Sequence, residues 1–121
     1  MKTILVVDDE ENILQLYHDE LTECGYRVGT AKNAEEALAF VRESRPDLVT
    51  LDIRLEAGPE GIEILRKIKE IDQTIPVIMN TAYSEYKQNF GVWASEDYVV
   101  KSSNLDDLKA KIAALLEGGQ A

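Results

Sequence analysis

Cysteine is almost absent from this chain of 121 residues, and long hydrophobic runs are missing altogether. The single cysteine, Cys24, cannot form a disulfide within the chain, so the fold depends on its hydrophobic core. No apolar run is long enough to cross a bilayer, and Met1-Lys2-Thr3 leads straight into a short apolar segment without a secretory signal. These absences predict one soluble cytoplasmic domain, residues 1–121, that does not bind membranes.

Long runs of basic residues are also lacking, and the net charge is −10 at pH 7. Because affinity for nucleic acids comes largely from Lys and Arg contacts to phosphates, this charge argues against nucleic-acid binding by the domain. An acidic surface fits a cation site, a basic partner or simple solvation. Charge alone leaves these alternatives open.

Five short segments have the pattern of β-strands, and they alternate with amphipathic segments. The predicted strands are residues 4–7, 27–31, 48–51, 76–80 and 98–100. The first and third are almost continuously apolar, which is typical of a parallel sheet covered on both faces. The alternation predicts an α/β fold of the flavodoxin-like, doubly wound (βα)5 type, with a five-stranded parallel sheet.

Apolar residues at helical spacing predict which side chains of the helices face the core. Residues 84–93 have the poorest helical spacing of apolar residues, so they form the weakest of the predicted helices. Gly25 is suited to end the first helix, and Asn33 to cap the start of the second. His18 falls away from the core stripe, so a solvated position is predicted for it. The predicted core positions are Ile13, Tyr17, Leu21 and Cys24, then Ala34, Ala37, Leu38 and Val41, then Leu65, Ile68 and Ile71, and finally Leu105, Leu108, Ile112 and Leu115.

Polar residues directly follow four of the predicted strands. Ligands in open α/β sheets bind beyond the carboxyl ends of the strands, so these side chains are expected to converge. Three carboxylates at one place repel each other, and a divalent cation and an ammonium group reduce that cost. Oxygen ligands with room for water and phosphate oxygens suit Mg²⁺. Taken singly, each residue could equally be a helix cap, a turn residue or a surface charge. The residues are Asp8 and Asp9, Asp52, Thr81 and Lys101.

Four blocks of sequence resemble one known family over essentially the whole chain. They are ILVVDDE at 4–10, PDLVTLDI at 46–53, PVIMNTA at 76–82 and DYVVK at 97–101. In their order and spacing they resemble the receiver domain of bacterial two-component response regulators. The resemblance implies a signalling domain that catalyses only its own phosphorylation and dephosphorylation.

The resemblance also implies a role for each residue at the sheet edge. Asp52 is the implied phosphoacceptor, taking a phosphoryl group from a phosphohistidine with the help of Lys101 and Thr81. Thr81 and Tyr98 are the implied switch pair. The implied ligands of the Mg²⁺ cofactor are Asp8, Asp9, Asp52 and the backbone carbonyl of Arg54.

The partners that the resemblance implies follow from this phosphotransfer chemistry. The phosphoryl donor is a histidine kinase or a histidine phosphotransfer protein. Phosphorylation is expected to change a surface built from the fourth helix, the fifth strand and the fifth helix. That surface is expected to contact an output domain or a protein partner, or to form a phosphorylation-dependent homodimer.

The chain departs from the family pattern at two places near the implied site. Ser102 follows Lys101 where the family usually has proline. Glu56 stands where the loop after the acceptor usually has proline, and Gly61 comes one residue later than usual. The second departure predicts a one-residue insertion near Gly58-Pro59. Neither change affects the implied acceptor or metal residues.

Two other functional classes compete with this interpretation. A haloacid-dehalogenase-type phosphatase also uses an aspartate nucleophile, in an Asp-x-Asp pattern after the first strand. Asp8 and Glu10 have that spacing, but Asp52 is then left without a role. A flavodoxin-like flavin or nucleotide binder needs a glycine-rich phosphate loop after the first strand, and this chain has acidic residues there.

Overall fold

The structure, a computed structural model, describes residues 1–51, 60–81, 97–100 and 105–116. Strands alternate with helices from Thr3 to Thr81. The strands are β1 (Thr3–Val7), β2 (Arg27–Ala31), β3 (Leu48–Leu51), β4 (Val77–Thr81) and β5 (Asp97–Val100). The helices are α1 (Glu11–Glu23), α2 (Ala34–Ser44), α3 (Glu60–Ile71) and α4 (Asp106–Leu116). The helix predicted at 84–93 lies outside these ranges. No helix within them has both the length and the apolar character needed to cross a membrane.

All five strands form one parallel sheet in the order β2-β1-β3-β4-β5. The prediction of a doubly wound parallel sheet is therefore confirmed, and each predicted strand matches an observed one to within one residue at either end. The chain moves outward from β1 to β2 and then returns past β1 to β3. The direction of winding thus reverses between β1 and β3, and in such sheets the ligand crevice lies at that reversal.

The sheet has a hydrophobic core on each face, because side chains alternate along its strands. Leu5 and Val7 of β1 face the core beneath α2 and α3, whereas Ile4 and Val6 face the core beneath α1 and α4. Most β1 and β3 side chains are 0–1% exposed, as expected for central strands covered on both sides. These two strands consequently give the sheet edge a rigid base.

The observed core agrees with the predicted stripes except at their ends. Tyr17 and Leu21 are buried, and His18 is exposed as predicted. Cys24 is exposed, so its predicted core position is wrong. The reason is that α1 ends at Glu23, and Gly25 turns the chain at a φ of 97°. Ile64 and Leu116, which the stripes omitted, are buried.

The start of α2 is fixed by two hydrogen bonds. The side chain of Asn33, the predicted cap, accepts a hydrogen bond of 2.9 Å from the Glu36 backbone N–H. The Glu36 carboxylate accepts one of 3.0 Å from the backbone N–H of Lys32. The first bond satisfies an N–H group that a helix start otherwise leaves unpaired, and the second ties the residue before the cap to the first turn. They also fix the backbone that leaves β2.

The α2 helix packs unusually closely on β2 at Gly29. A Cβ atom added to Gly29 would lie 2.4 Å from Cε2 and 2.5 Å from Cζ of Phe40. Gly29→Ala should therefore lower the free energy of unfolding by about 1–3 kcal/mol, because the Phe40 ring must leave its place. Chemical denaturation of the variant measures the loss. In a Phe40→Ala background the same substitution should cost close to nothing, since no ring remains to be displaced.

Gly25 provides the control for this double-mutant cycle. Its φ is 97°, and no atom lies within 4 Å of a Cβ built there. Gly25→Ala should cost about 1–2 kcal/mol through backbone strain, whether or not Phe40 is present. An equal cost of Gly29→Ala in both backgrounds would show that the Phe40 ring is not the cause.

Candidate functional site

The carboxyl ends of the central strands meet at one edge of the sheet. Val7, the last residue of β1, pairs with Leu51, the last residue of β3, and Leu51 pairs with Met79 of β4. Thr81 ends β4 two residues further on and pairs with Val100, the last residue of β5. Residues that directly follow these strands therefore start from the same edge, next to the reversal between β1 and β3.

Asp8 is a buried carboxylate at this edge. It is 1% exposed, and its backbone N–H donates a hydrogen bond of 3.0 Å to the Ala31 carbonyl of β2. Its Oδ1 accepts a hydrogen bond of 3.0 Å from the backbone N–H of Glu10. Burying a carboxylate is costly unless hydrogen bonds or a cation compensate for lost water. The structure thus holds a buried carboxylate in a fixed orientation, which is typical of a functional group.

Asp8, Asp9 and Glu10 together form a cluster of carboxylates. One oxygen from each residue lies within 4.8 Å of the others, and exposure increases from buried Asp8 through Asp9 to exposed Glu10. Such a cluster repels itself, and a divalent cation relieves the repulsion. A set of hard oxygen ligands that is open to solvent on one side fits Mg²⁺, which keeps several of its waters. The residues present therefore fit the predicted metal.

The first turn of α1 adds to the electrostatics of this cluster. Glu10 occupies the N-cap position of the helix, and its backbone is extended, with φ −99° and ψ 116°. Its backbone carbonyl accepts from the Leu14 N–H at 3.1 Å. The N-terminus of a helix carries partial positive charge, which stabilises neighbouring carboxylates. Glu10 is therefore held at the cluster by its backbone, and its side chain joins Asp8 and Asp9.

The predicted site residues are brought together to different extents. Asp8 and Asp9 lie close together as predicted. Thr81 ends β4 at the same edge, and Tyr98 lies in β5, paired with Met79. The predictions for Asp52, Arg54 and Lys101 fall outside the described residues and stay predictions.

One residue at this edge was missing from the predicted set. Lys32 directly follows Ala31, the last residue of β2, whose carbonyl accepts the Asp8 N–H. It is exposed, and its own backbone N–H is held by Glu36. The signal was available in the sequence, because Lys32 follows a predicted strand just as the other site residues do.

Comparison with known proteins identifies the family. The family model for the response regulator receiver domain matches residues 4–113 of this chain. The transcriptional regulatory protein AfsQ1 of Streptomyces coelicolor is 37% identical over 122 residues, covering 99% of this chain and 53% of AfsQ1. The sporulation initiation phosphotransferase F of Bacillus subtilis is 45% identical over 82 residues, covering 68% of this chain and 65% of that protein. The chain thus spans half to two thirds of these curated relatives.

Solved structures agree with this assignment. The response regulator protein TrrA of Thermotoga maritima, in complex with Mg²⁺-BeF, has a TM-score of 0.90 and 46% sequence identity. The match covers 96% of this chain and 100% of TrrA. TrrA in complex with the histidine kinase ThkA matches with a TM-score of 0.88 over 97% of this chain and 100% of TrrA. Sequence blocks, sheet order and the acidic edge agree with these matches, and the chain belongs to the response regulator receiver domain family.

Proposed function

We propose that this chain is the phosphoryl-accepting switch of a two-component system and that Asp52 takes the phosphoryl group. The observation that carries the proposal is the carboxylate cluster at the end of β1. Asp52 directly follows Leu51, the end of β3, and Leu51 pairs with Val7, the residue before Asp8. The acceptor thus follows the strand next to the cluster, at the reversal of the sheet.

The carboxylate cluster is suited to hold the Mg²⁺ that this chemistry needs. Asp8 and Asp9 would bind it together with Asp52 and the backbone carbonyl of Arg54. The complex of the related TrrA with Mg²⁺-BeF supports this role. When bound, Mg²⁺ offsets negative charge on the phosphoryl oxygens. The hydrogen bond from the Glu10 N–H fixes Asp8, so this ligand is oriented before the ion arrives.

The transfer itself is a displacement at phosphorus. A carboxylate oxygen of Asp52 attacks the phosphorus of a phosphohistidine, and a P–O bond forms as the P–N bond breaks. The electron pair of the broken bond returns to the imidazole. The Lys101 ammonium balances charge on the phosphoryl oxygens, and the Thr81 hydroxyl donates a hydrogen bond to one of them. The catalytic contribution of the chain is therefore positioning and electrostatics.

Phosphorylation is read out at a surface next to Thr81. Thr81 ends β4, and Tyr98 lies in the adjoining β5, so the switch pair spans two neighbouring strands. The phosphoryl group stabilises the arrangement in which Thr81 contacts it, and the Tyr98 ring follows. The surface that changes is built from residues 84–93, β5 and α4. The phosphoryl group shifts the population toward the active arrangement only if its contacts, such as that with Thr81, are more favourable there than in the inactive arrangement.

The chemistry of the switch defines its partners. A histidine kinase or a histidine phosphotransfer protein supplies the phosphoryl group in the cytoplasm, and the complex of TrrA with the kinase ThkA supports such a donor. Residues 1–121 form a single receiver domain. The readout surface contacts an output domain, a separate protein partner or a second phosphorylated copy of the chain.

Incubation with acetyl phosphate and Mg²⁺ tests this function. The intact mass of the chain should increase by one phosphoryl group, and chelation of Mg²⁺ by EDTA should prevent the increase, because the ion offsets charge in the transfer. Intact-mass spectrometry measures both. Continuous turnover of a phosphate ester at many equivalents per chain would instead support a haloacid-dehalogenase-type phosphatase. An unchanged mass in the presence of Mg²⁺ would contradict the proposal.

A further inference from the structure

The acidic edge carries a basic residue on its outer side. Lys32 directly follows β2, the edge strand that pairs with β1. Val7 pairs with Ala31, and the first N–H after β1, that of Asp8, donates to the Ala31 carbonyl at 3.0 Å. This hydrogen bond joins the first residue of the carboxylate cluster to Ala31. Lys32, the next residue after Ala31, therefore borders the cluster along the chain.

The backbone of Lys32 is fixed at this place, although its side chain is exposed. Its N–H donates to the Glu36 carboxylate at 3.0 Å, and Glu36 is held in turn by the Asn33 cap. Neighbouring strands lie about 4.8 Å apart. The Lys32 backbone is thus separated from the start of the cluster at Asp8 by less than the Debye length, which is about 10 Å at 0.1 M salt. The exposed side chain therefore starts from a fixed backbone position beside the carboxylate cluster.

The charge of Lys32 has opposite effects on the two ions that the proposed reaction brings together. A cation repels Mg²⁺ as it approaches the acidic cluster, and it attracts the dianionic phosphoryl group of the donor. Without a cation at this side, the cluster of Asp8, Asp9 and Glu10 repels the donor. A lysine placed here gives up some metal affinity and gains rate of donor association.

We propose that Lys32 is an electrostatic specificity residue that guides anionic phosphodonors to the acidic edge. It does not touch the reacting atoms. The inference rests on the proposed phosphoryl-accepting function, and it adds a second cationic contribution, from β2, to that of Lys101. The donor class that it favours is one presenting an exposed dianionic phosphoryl group, such as a small acyl phosphate or a phosphohistidine at a protein surface.

The test is Lys32→Gln, compared with Lys32→Arg, which retains the charge. At low ionic strength and saturating Mg²⁺, Lys32→Gln should react with acetyl phosphate about threefold more slowly, as expected for loss of one charge at this distance. In the absence of donor, isothermal titration calorimetry should show that the same variant binds Mg²⁺ about threefold more tightly. Lys32→Arg should match the wild type in both measurements. A folding defect would not slow one process and strengthen the other.

The salt dependence and a matched variant complete the test. At about 1 M salt the Debye length falls to about 3 Å, so the rates of Lys32→Gln and wild type should converge. Lys2→Gln removes the same charge from an exposed residue before β1, at the opposite edge, and should change neither quantity. Equal rates for Lys32→Gln and wild type at low salt would overturn the inference, as would a deficit that persists at 1 M. Either result would leave Mg²⁺-dependent labelling of the wild type, and hence the proposed function, intact.

Discussion

Replacement of Asp52 by asparagine should abolish phosphoryl transfer to the chain. The asparagine side chain has the shape of aspartate but carries no negative charge, so it cannot form the acyl phosphate. Incubated with acetyl phosphate and Mg²⁺, the wild type should gain one phosphoryl group, and Asp52→Asn should gain none. The effect is expected to be all or none because a single carboxylate provides the attacking oxygen. Intact-mass spectrometry of both proteins measures it.

A matched substitution controls for the loss of one carboxylate. Asp19→Asn makes the same chemical change at an exposed residue of α1, where Asp19 accepts a hydrogen bond of 2.9 Å from Gln15. This variant should be labelled to the same extent as the wild type. If Asp52→Asn were also labelled fully, the acceptor would have to be another residue, and the assignment of Asp52 would fail.

Asp8→Asn should weaken Mg²⁺ binding by about 100-fold. Loss of a residue that only supports a metal ligand costs about 10–100-fold in affinity, and loss of a ligand's charge should cost at least as much as the upper value. The substitution removes the charge of a carboxylate that is 1% exposed and central to the acidic cluster. The asparagine oxygen can still accept the hydrogen bond that Asp8 receives from the Glu10 N–H, so the turn should persist. Isothermal titration calorimetry with Mg²⁺ alone measures the change.

The same variant should be more stable than the wild type when Mg²⁺ is absent. Neutralising one of three clustered carboxylates relieves repulsion and removes a buried charge, so the free energy of unfolding should rise. Glu11→Gln is the control, since it removes one charge from an exposed residue at the start of α1. That variant should bind Mg²⁺ within a few-fold of the wild type. Wild-type affinity in Asp8→Asn would exclude Asp8 as a ligand.

Strand positions could be predicted closely because continuous apolar runs have few alternatives in a covered parallel sheet. The ends of helices were harder to predict. Cys24 continues the apolar spacing of α1, but the helix ends one residue before it, so the pattern placed an exposed residue in the core. The contact of Phe40 with the bare backbone of Gly29 depends on how closely α2 approaches β2, and no local pattern encodes that distance.

The candidate site could be predicted in outline for a similar reason. Chain order places Asp8 and Asp9 after β1, and parallel strands end at one edge, so their position follows from topology. The burial of Asp8 and its bond with the Glu10 N–H depend on the turn into α1, which sequence spacing does not specify. Lys32 follows a predicted strand as the other site residues do, but the sequence does not show which strand lies next to β1, and the strand order of the sheet places β2 there.

Locating the phosphoryl group within the chain distinguishes Asp52 from every other carboxylate as the acceptor. Borohydride reduction of the labelled protein converts an aspartyl phosphate to homoserine, which peptide mass spectrometry assigns to one position. We expect that conversion at Asp52, in wild-type protein treated with acetyl phosphate and Mg²⁺, and no conversion after chelation of Mg²⁺. Homoserine at Asp8 or Asp9 with none at Asp52 would contradict the account, because the metal ligands and the acceptor would then have exchanged roles.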